Sequence, residues 1–371
     1  MKIAKNILKI SFEKRVDYSL IFCEDVFDET KNILNFDMGS KRFIIVDSFI
    51  ADKYHDKIHK YLAKFTSNYK IIPVEAGELN KNIDTFLYIA RELAEFDVDR
   101  RNEPIIVIGG GVLMDVGNFV ASCYRRGVPH ISIPTTLMGY VDASVGIKTG
   151  INLDRHKNRL GTFDSPQFVY LDRSFLKTLP KRHIINGTGE IVKIALIKNA
   201  KLFEYLESFG KNAIDSNFQN EESSYILNQS IIDIVEELEP NLFEDNLERC
   251  VDFGHTFSLP FEMIKESPLL HGEAVAVDIA YSACLALVRN HISENQLQRI
   301  FNLMQCLGLP CFHPNITSEI LWESVQERIN HRSGFQRIPL PQGLGKCIFA
   351  NDVTKKEIDS SLNLLRNVMY H

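Results

Sequence analysis

The chain has 371 residues, enough for roughly two domains on the usual ~150-residue scale. Its 45% hydrophobic and 24% charged residues are ordinary for a soluble globular protein, which excludes a disordered chain or a small staple-dependent scaffold. Acidic residues number 48 against 42 Lys plus Arg, a net charge of -6 that lacks the basic surplus of a general nucleic-acid binder. The 7 cysteines are odd in number, scattered and without a CxxC pair, so neither a disulfide framework nor a cysteine zinc site is expected. Lys and Arg interrupt the N-terminal MKIAKNILKISFEKRVDY, unlike a signal peptide. No apolar run approaches the ~20 residues needed to span a bilayer. The expectation is a protein of the reducing cytoplasm with no membrane and no nucleic-acid partner.

The first half reads as alternating strands and helices. Short β-branched runs occur at Arg42–Val46, Lys70–Val74, Pro104–Ile108, His130–Ile133 and Phe168–Leu171. Between the second and third, Phe86, Ile89, Ala90, Leu93 and Ala94 recur at helical spacing across Ile83–Phe96. Strands alternating with helices predict a parallel sheet covered on both faces. A strand-like pair near residues 8–24 adds a possible edge hairpin. From about residue 177 helical periodicity takes over, at Gly187–Leu206, Glu222–Leu238, Glu273–Val288, Ser293–Leu307, Ser318–Ile329 and Thr354–Met369. The predicted architecture is an α/β domain over 1–176 and a mostly helical domain over 177–371, with the cleft between them as the default ligand site.

Three segments carry chemistry. In IIVIGGGVLMD, a buried strand runs into Gly109, Gly110 and Gly111 and then a helix with Asp115, a backbone that suits a diphosphate but also any tight strand-to-helix turn. Asp47 ends an earlier strand, where a carboxylate can accept a ribose hydroxyl or simply terminate the strand. Glu78 and Lys81 follow another strand, in what reads equally as a solvated loop. In the helical half, Glu190, His255 and His271 are a carboxylate and two imidazoles, a set suited to Zn²⁺ with one position left for substrate oxygen. Spacing alone does not show that they converge. Lys193 lies one turn after Glu190, on the same helical face. Pro134–Leu160 shows no regular period and gathers Thr135, Thr136, the acid Asp142, His156, Asn158 and the bases Lys148, Arg155, Lys157 and Arg159; Lys and Arg are the residues expected around a phosphate, though a polar surface loop reads the same way. Loops of that length in compact domains are usually functional or disordered.

The segments GGGVLMDVGNF, YRRG, IPTTLMGYVDASVGIKTG, HKNRLG, LKTLPKRH, GEIVK, GHTF and HGEAVA, in that order, resemble the sugar phosphate cyclase superfamily, whose best-known member is 3-dehydroquinate synthase. The resemblance runs from about Asp47 to the last helix. It implies an N-terminal NAD-binding, Rossmann-like parallel-sheet domain and a C-terminal helical, metal-binding domain. It implies metal ligation by Glu190, His255 and His271, with Zn²⁺ or Co²⁺ as the ion. NAD contacts are implied for Asp47, Glu78, Lys81, Gly110, Gly111, Asp115, Thr135 and Thr136, with Lys148 and Lys157 beside them. Substrate hydroxyls and phosphate fall to Asp142, Lys148, Lys157, Asn158 and Lys193. Arg126 matches an arginine that reaches the phosphate of a neighbouring subunit, which implies a homodimer.

Within the superfamily, Asp252 replaces an asparagine of the GHTFGH-like region, Leu259 replaces its second histidine, and Glu248 falls where a carboxylate-gripping arginine stands, with Arg249 one position off. A substrate with a neutral C1 end is therefore expected. DFGHTFS, HKNRLGT and HRSGFQRIPLP look most like the sedoheptulose 7-phosphate cyclases, and Leu238, Asp252 and His331 fit the pattern of the 2-epi-5-epi-valiolone synthases. Asp252 and His331 are expected at the C1 and C2 end of the sugar. The implied reaction is transient oxidation by NAD, phosphate elimination, re-reduction and intramolecular aldol closure. The alternatives are a 2-epi-valiolone synthase, 3-dehydroquinate synthase, a metal-dependent polyol dehydrogenase and a non-catalytic NAD-binding homologue.

Overall fold

The structure is a computed structural model that describes residues 2–4, 7–13, 15–35, 40–66, 68–154, 156–262, 264 and 269–370. Arg155 lies outside the described residues. Strands β1 (Lys2–Ala4) and β2 (Ile7–Lys9) pair antiparallel at the N-terminus. Then follow β3 (Ser19–Cys23), β4 (Lys41–Asp47), α1 (Ser48–Lys53), α2 (His55–Phe65), β5 (Asn68–Val74), α3 (Ile83–Phe96), β6 (Ile105–Gly109), α4 (Gly111–Cys123) and β7 (His130–Pro134). After a π-type turn at Gly139–Ala143 come β8 (Lys148–Leu153), β9 (His156–Phe163) and β10 (Phe168–Asp172).

Six of these strands form one all-parallel sheet in the order β3-β10-β7-β6-β4-β5. The β-branched runs are buried on both faces, as a parallel sheet requires. On one face Phe43, Ile45 and Val107 pack against Ile89 and Leu93 of α3 and Leu113 and Met114 of α4. On the other, Ile44, Val46, Ile106 and Ile108 meet Ile50 of α1 and Ile58, Tyr61 and Leu62 of α2. The chain goes from β4 outward to the edge strand β5 and returns to β6 on the far side of β4. The strand order thus reverses between β4 and β6, and the crevice at their carboxyl ends is where such sheets bind ligands.

The helical half contains α5 (Lys181–Lys198), α6 (Ala200–Asp215), α7 (Glu221–Leu238), α8 (Leu259–Glu262), α9 (His271–Val288), α10 (Glu294–Cys306), α11 (Ser318–His331) and α12 (Lys355–Tyr370). Among the described residues, α9 is the one helix long and apolar enough to cross a membrane, and Gly272 through Ala286 are all buried as the domain's central helix. A short hairpin, β11 (Ile338–Pro341) with β12 (Cys347–Ala350), completes this half.

Three expectations differ from the structure. The Gly187–Leu206 period spans two helices, because Asn199 stops α5 and its side chain accepts the Lys201 and Leu202 N–H groups to cap α6. The aperiodic Pro134–Leu160 stretch includes the antiparallel β8–β9 hairpin; β9 is largely exposed, so no apolar alternation marks it. Of residues 8–24, β3 joins the parallel sheet beside β10, and the N-terminal hairpin ends before it, at Lys9.

Candidate metal and nucleotide site

The glycine turn lies at the sheet's switch point. Gly109 ends β6 and Gly110 caps α4, with Thr135 N–H donating to Gly109 O at 2.8 Å. A Cβ on Gly110 would lie 3.0 Å from Thr136 Cγ2, and one on Gly109 would lie 3.3 Å from Asp47 Cβ. Bare backbone, the start of a 13-residue helix and the Asp47 carboxylate therefore share one crevice. That is the cradle a dinucleotide diphosphate and its ribose require. Asp47 also caps α1, its Oδ1 accepting from Phe49 N–H at 2.9 Å and Ile50 N–H at 3.4 Å. Burial raises its carboxyl above the usual range, against those two bonds.

From the crevice a polar chain runs to the helical half. Lys81 is buried and donates to Asp115 Oδ2 at 2.5 Å and to Asn158 Oδ1 at 2.5 Å. Burial raises the Asp115 carboxyl, Lys81 opposes it, and Asp142, half-buried in the π-type turn, adds a like charge. Asn158 has a left-handed φ of 53° and donates its N–H to Asn152 Oδ1 at 3.0 Å. Asn152 in turn donates to Glu78 Oε1 at 2.8 Å. Lys157 lies 3.4 Å from Glu78 Oε1 and 2.7 Å from Glu262 Oε2. The β8–β9 hairpin thus joins sheet to helices.

At the end of this chain Glu190, His255 and His271 converge, their ligand atoms all within 4.8 Å of one another. Helix–helix contact brings this about. A Cβ on Gly189 would lie 2.4 Å from Gly272 O, and one on Gly272 would lie 1.8 Å from Asn186 O, so α5 and α9 touch backbone to backbone. Asn186 Oδ1 accepts the Gly272 N–H at 2.7 Å, and Arg182 of α5 grips Glu273 of α9 through two bonds of 2.7 Å. Glu190 and His271 therefore face each other, with His271 Nε2 3.5 Å from Glu190 Oε1. His255 enters from the turn after Cys250–Asp252, its Nε2 3.9 Å from the same oxygen. That turn is clamped by the fully buried Asp278 of α9, whose Oδ2 accepts the Phe257 N–H at 2.5 Å.

The residues fit a divalent ion. His255 Nδ1 donates to Phe253 O at 3.1 Å and His271 Nδ1 to Glu262 Oε1 at 3.2 Å, which leaves each Nε2 lone pair facing inward. Glu190 is fully buried, yet neither of its oxygens completes a hydrogen bond. Burial alone would raise its carboxyl; Lys193 and the two imidazoles outweigh burial and hold it well below the usual range. Burial and the Lys193 ammonium push His255 down to about 4, so it is neutral and ready to ligate. His271 is pushed up to about 10 despite burial, because Glu262 and Glu190 flank it. Two carboxylates there demand positive charge, from a proton or from a metal cation.

A second cluster surrounds Asp252. Its Oδ1 lies 3.1 Å from Arg249 Nη1, and its Oδ2 lies 3.4 Å from Arg328 and 2.5 Å from Arg332. Burial opposes ionisation, but the three guanidiniums keep this carboxyl below its usual range. Glu244 Oε1 links the cluster to the hairpin, 2.7 Å from Arg249 and 3.1 Å from the exposed Lys148. Glu248 is exposed while Arg249 is buried, so no like charge meets a substrate carboxylate at position 248. The expected clash at Glu248 is therefore absent, and Arg249 is the residue turned inward, toward Asp252. His331 is also not brought in: it faces Glu327, 3.8 Å away, and stays exposed. The next residue, Arg332, caps the end of α11 with non-helical φ and ψ of -118° and 38°, and its side chain reaches Asp252 instead. Leu238 ends α7, 3.7 Å from where a Cβ on Gly146 would lie. Arg126 is exposed, at a left-handed φ of 65°.

Glu262, Glu244, Asn186, Asp278, Arg328 and Arg332 were not anticipated. Only Arg328 and Arg332, four residues apart at the end of α11, left any trace in the sequence.

A parallel sheet with a glycine-lined switch point, joined to a helical half holding a Glu-His-His cluster, defines the class. Residues 71–186 match the 3-dehydroquinate synthase N-terminal family and residues 187–330 its C-terminal family, and the chain belongs to the 3-dehydroquinate synthase family. Within it, the chain is 44% identical to a 2-epi-5-epi-valiolone synthase of Streptomyces albus, over 95% of this chain and 88% of that one. It is 34% identical to a 3-dehydroquinate synthase of Thermoanaerobacter pseudethanolicus, over 95% and 98% of the two chains. The solved structure of ValA, a 2-epi-5-epi-valiolone synthase from Streptomyces hygroscopicus subsp. jinggangensis with NAD+ and Zn2+ bound, superposes with a TM-score of 0.94. That match has 37% identity and covers 97% of this chain and all of the other.

Proposed function

We propose that the chain cyclises sedoheptulose 7-phosphate to 2-epi-5-epi-valiolone, releasing phosphate. The observation that carries this reading is Asp252 set among Arg249, Arg328 and Arg332 beside the Glu-His-His cluster, in a chain 44% identical to a synthase of that name. Every one of these arginines is paired with a carboxylate of the chain itself, so its charge is already compensated before a substrate arrives. A neutral, hydroxylated C1 end fits that wall, which disfavours dehydroquinate formation.

When bound, NAD⁺ accepts and returns a hydride and the divalent metal polarises vicinal hydroxyls. Gly110, Gly111, Thr135, Thr136, Asp47 and Asp115 would hold the dinucleotide, and Glu190, His255 and His271 would hold the metal. Lys157, Asn158 and Lys148 face the sugar and its phosphate from the hairpin, and Asp142 faces it from the π-type turn. Lys193 Nζ, buried against Glu190, is placed to donate to a substrate hydroxyl oxygen and to stabilise charge developing there. Once the C5 carbonyl acidifies C6–H, the substrate's own phosphate is positioned to take that proton as it leaves C7. Ring opening then frees the C7 enolate to attack the C2 ketone. Residues 1–176 serve the nucleotide and 177–371 the metal. Arg126, exposed and without an ion pair among the described residues, supports a homodimer in which it reaches the neighbouring site. Seven free cysteines suit a cytoplasmic protein.

The test is incubation with NAD⁺ and Zn²⁺ or Co²⁺, offering sedoheptulose 7-phosphate and, separately, the carboxylated precursor of dehydroquinate, with phosphate release followed and the product identified by NMR. Release from sedoheptulose 7-phosphate alone, with the 2-epi-5-epi configuration, is the expected result. Release only from the carboxylated sugar overturns the assignment.

A further inference from the structure

Glu262 lies in none of the recognised segments, yet it is the most enclosed acid between the sheet and the metal cluster. Its side chain is 6% exposed, at the end of α8. Its two oxygens have different partners: Oε1 accepts from His271 Nδ1 at 3.2 Å, and Oε2 accepts from Lys157 Nζ at 2.7 Å. Lys157 belongs to the β8–β9 hairpin, 105 residues away in sequence, and its other acid, Glu78, lies farther off at 3.4 Å. We propose that Glu262 is a positioning residue that couples the metal site to the hairpin, one oxygen fixing the His271 ring and the other fixing Lys157. This inference rests on reading Glu190, His255 and His271 as metal ligands.

The physical argument is a shared charge. The bond to Nδ1–H turns the His271 lone pair at Nε2 toward Glu190 and makes the ring a better ligand. Lys157 draws on the same carboxylate, in a buried setting where solvent and salt screen little. Any anion that engages Lys157 therefore changes the negative charge Glu262 presents to His271. By linkage, a metal at His271 changes the hold on Lys157 equally.

The test measures zinc affinity of the full chain by competition with a chromophoric chelator, for wild type, Glu262→Gln, Lys157→Met and the double variant. Glu262→Gln is expected to weaken zinc binding by about 10–100-fold. Lys157→Met is expected to shift it by at least about twofold when Glu262 is intact and not at all in the Glu262→Gln background. Glu262→Asp guards against misfolding: it keeps the charge but is too short for both partners, so its zinc affinity also becomes independent of Lys157. Unchanged affinity in Glu262→Gln, or equal effects of Lys157→Met in both backgrounds, overturns the coupling. A wild-type chain that binds no zinc overturns the metal reading instead, so the two failures are distinguishable.

Discussion

Two buried carboxylates define the site, and their surroundings differ. Asp252 is saturated: Arg249, Arg328 and Arg332 take up its oxygens, and Arg328 is itself fixed by bonds to the Gln336 and Arg337 carbonyls. Glu190 is fully buried, touched by one ammonium and two imidazoles, with neither oxygen completing a hydrogen bond. A saturated acid is a wall with a fixed pattern of charge. A buried acid that faces one ammonium and two imidazole Nε2 atoms, and keeps lone pairs to spare, is built to serve as a ligand.

The sharpest way to break this contrast is to remove a member of the Glu190 cluster. His271→Ala or Lys193→Ala should lower cyclisation by at least about 10²–10³-fold with the fold retained, judged by phosphate release and circular dichroism. Near-normal turnover in either would sink the assignment. Asp252→Asn comes next. Leaving three guanidiniums one charge short should cut kcat/KM for sedoheptulose 7-phosphate by about 10–100-fold, or roughly 1.4–2.8 kcal/mol, while NAD⁺ affinity, read by fluorescence titration, is unchanged. Equal loss of both would make Asp252 merely structural. At the end of α11, Arg332→Ala should impair turnover more than His331→Ala, because of the two only the arginine reaches Asp252; the reverse order would restore the sequence-based role of His331.

The last expected effect concerns pH and stability rather than turnover. His130, at the start of β7, is fully buried, its ring nitrogens make no hydrogen bond, and burial pushes it down to about 4. Between pH 4 and the usual 6.5 the unfolded chain binds a proton there that the folded chain does not. Stability from this group is therefore full above about pH 6.5 and lost as pH falls toward 4, by up to about 3 kcal/mol. Asp278, pushed up to about 6 by burial, opposes this, because there the folded chain holds the proton. Thermal melts of wild type against His130→Gln isolate the histidine. The gap should move against wild type as pH drops, and parallel curves would refute the idea.

The two acids also show why some of the site was legible and some was not. Glu190, His255 and Lys193 stand in short segments whose residue types are unusual for a buried helix or turn, so local chemistry betrayed them. Glu262 ends a four-residue helical turn and Arg328 sits on a longer helix, and for an ordinary charged residue in either place a solvated position is the natural reading. Only long-range packing turned them inward.

By itself the sequence determined the alternation of buried β-branched runs with helices, the glycine turn after β6, and the residue types of the metal cluster. Each is a local property: backbone freedom, side-chain period and donor chemistry within a few residues. The tertiary structure decided the rest. Convergence of Glu190, His255 and His271 depends on the glycine contact between α5 and α9, in elements far apart in the chain. The break at Asn199, the exposed β9 hairpin and the choice of Arg332 over His331 depend on capping, on which face meets solvent, and on where α11 ends. Those are relations between elements, and no single segment encodes them.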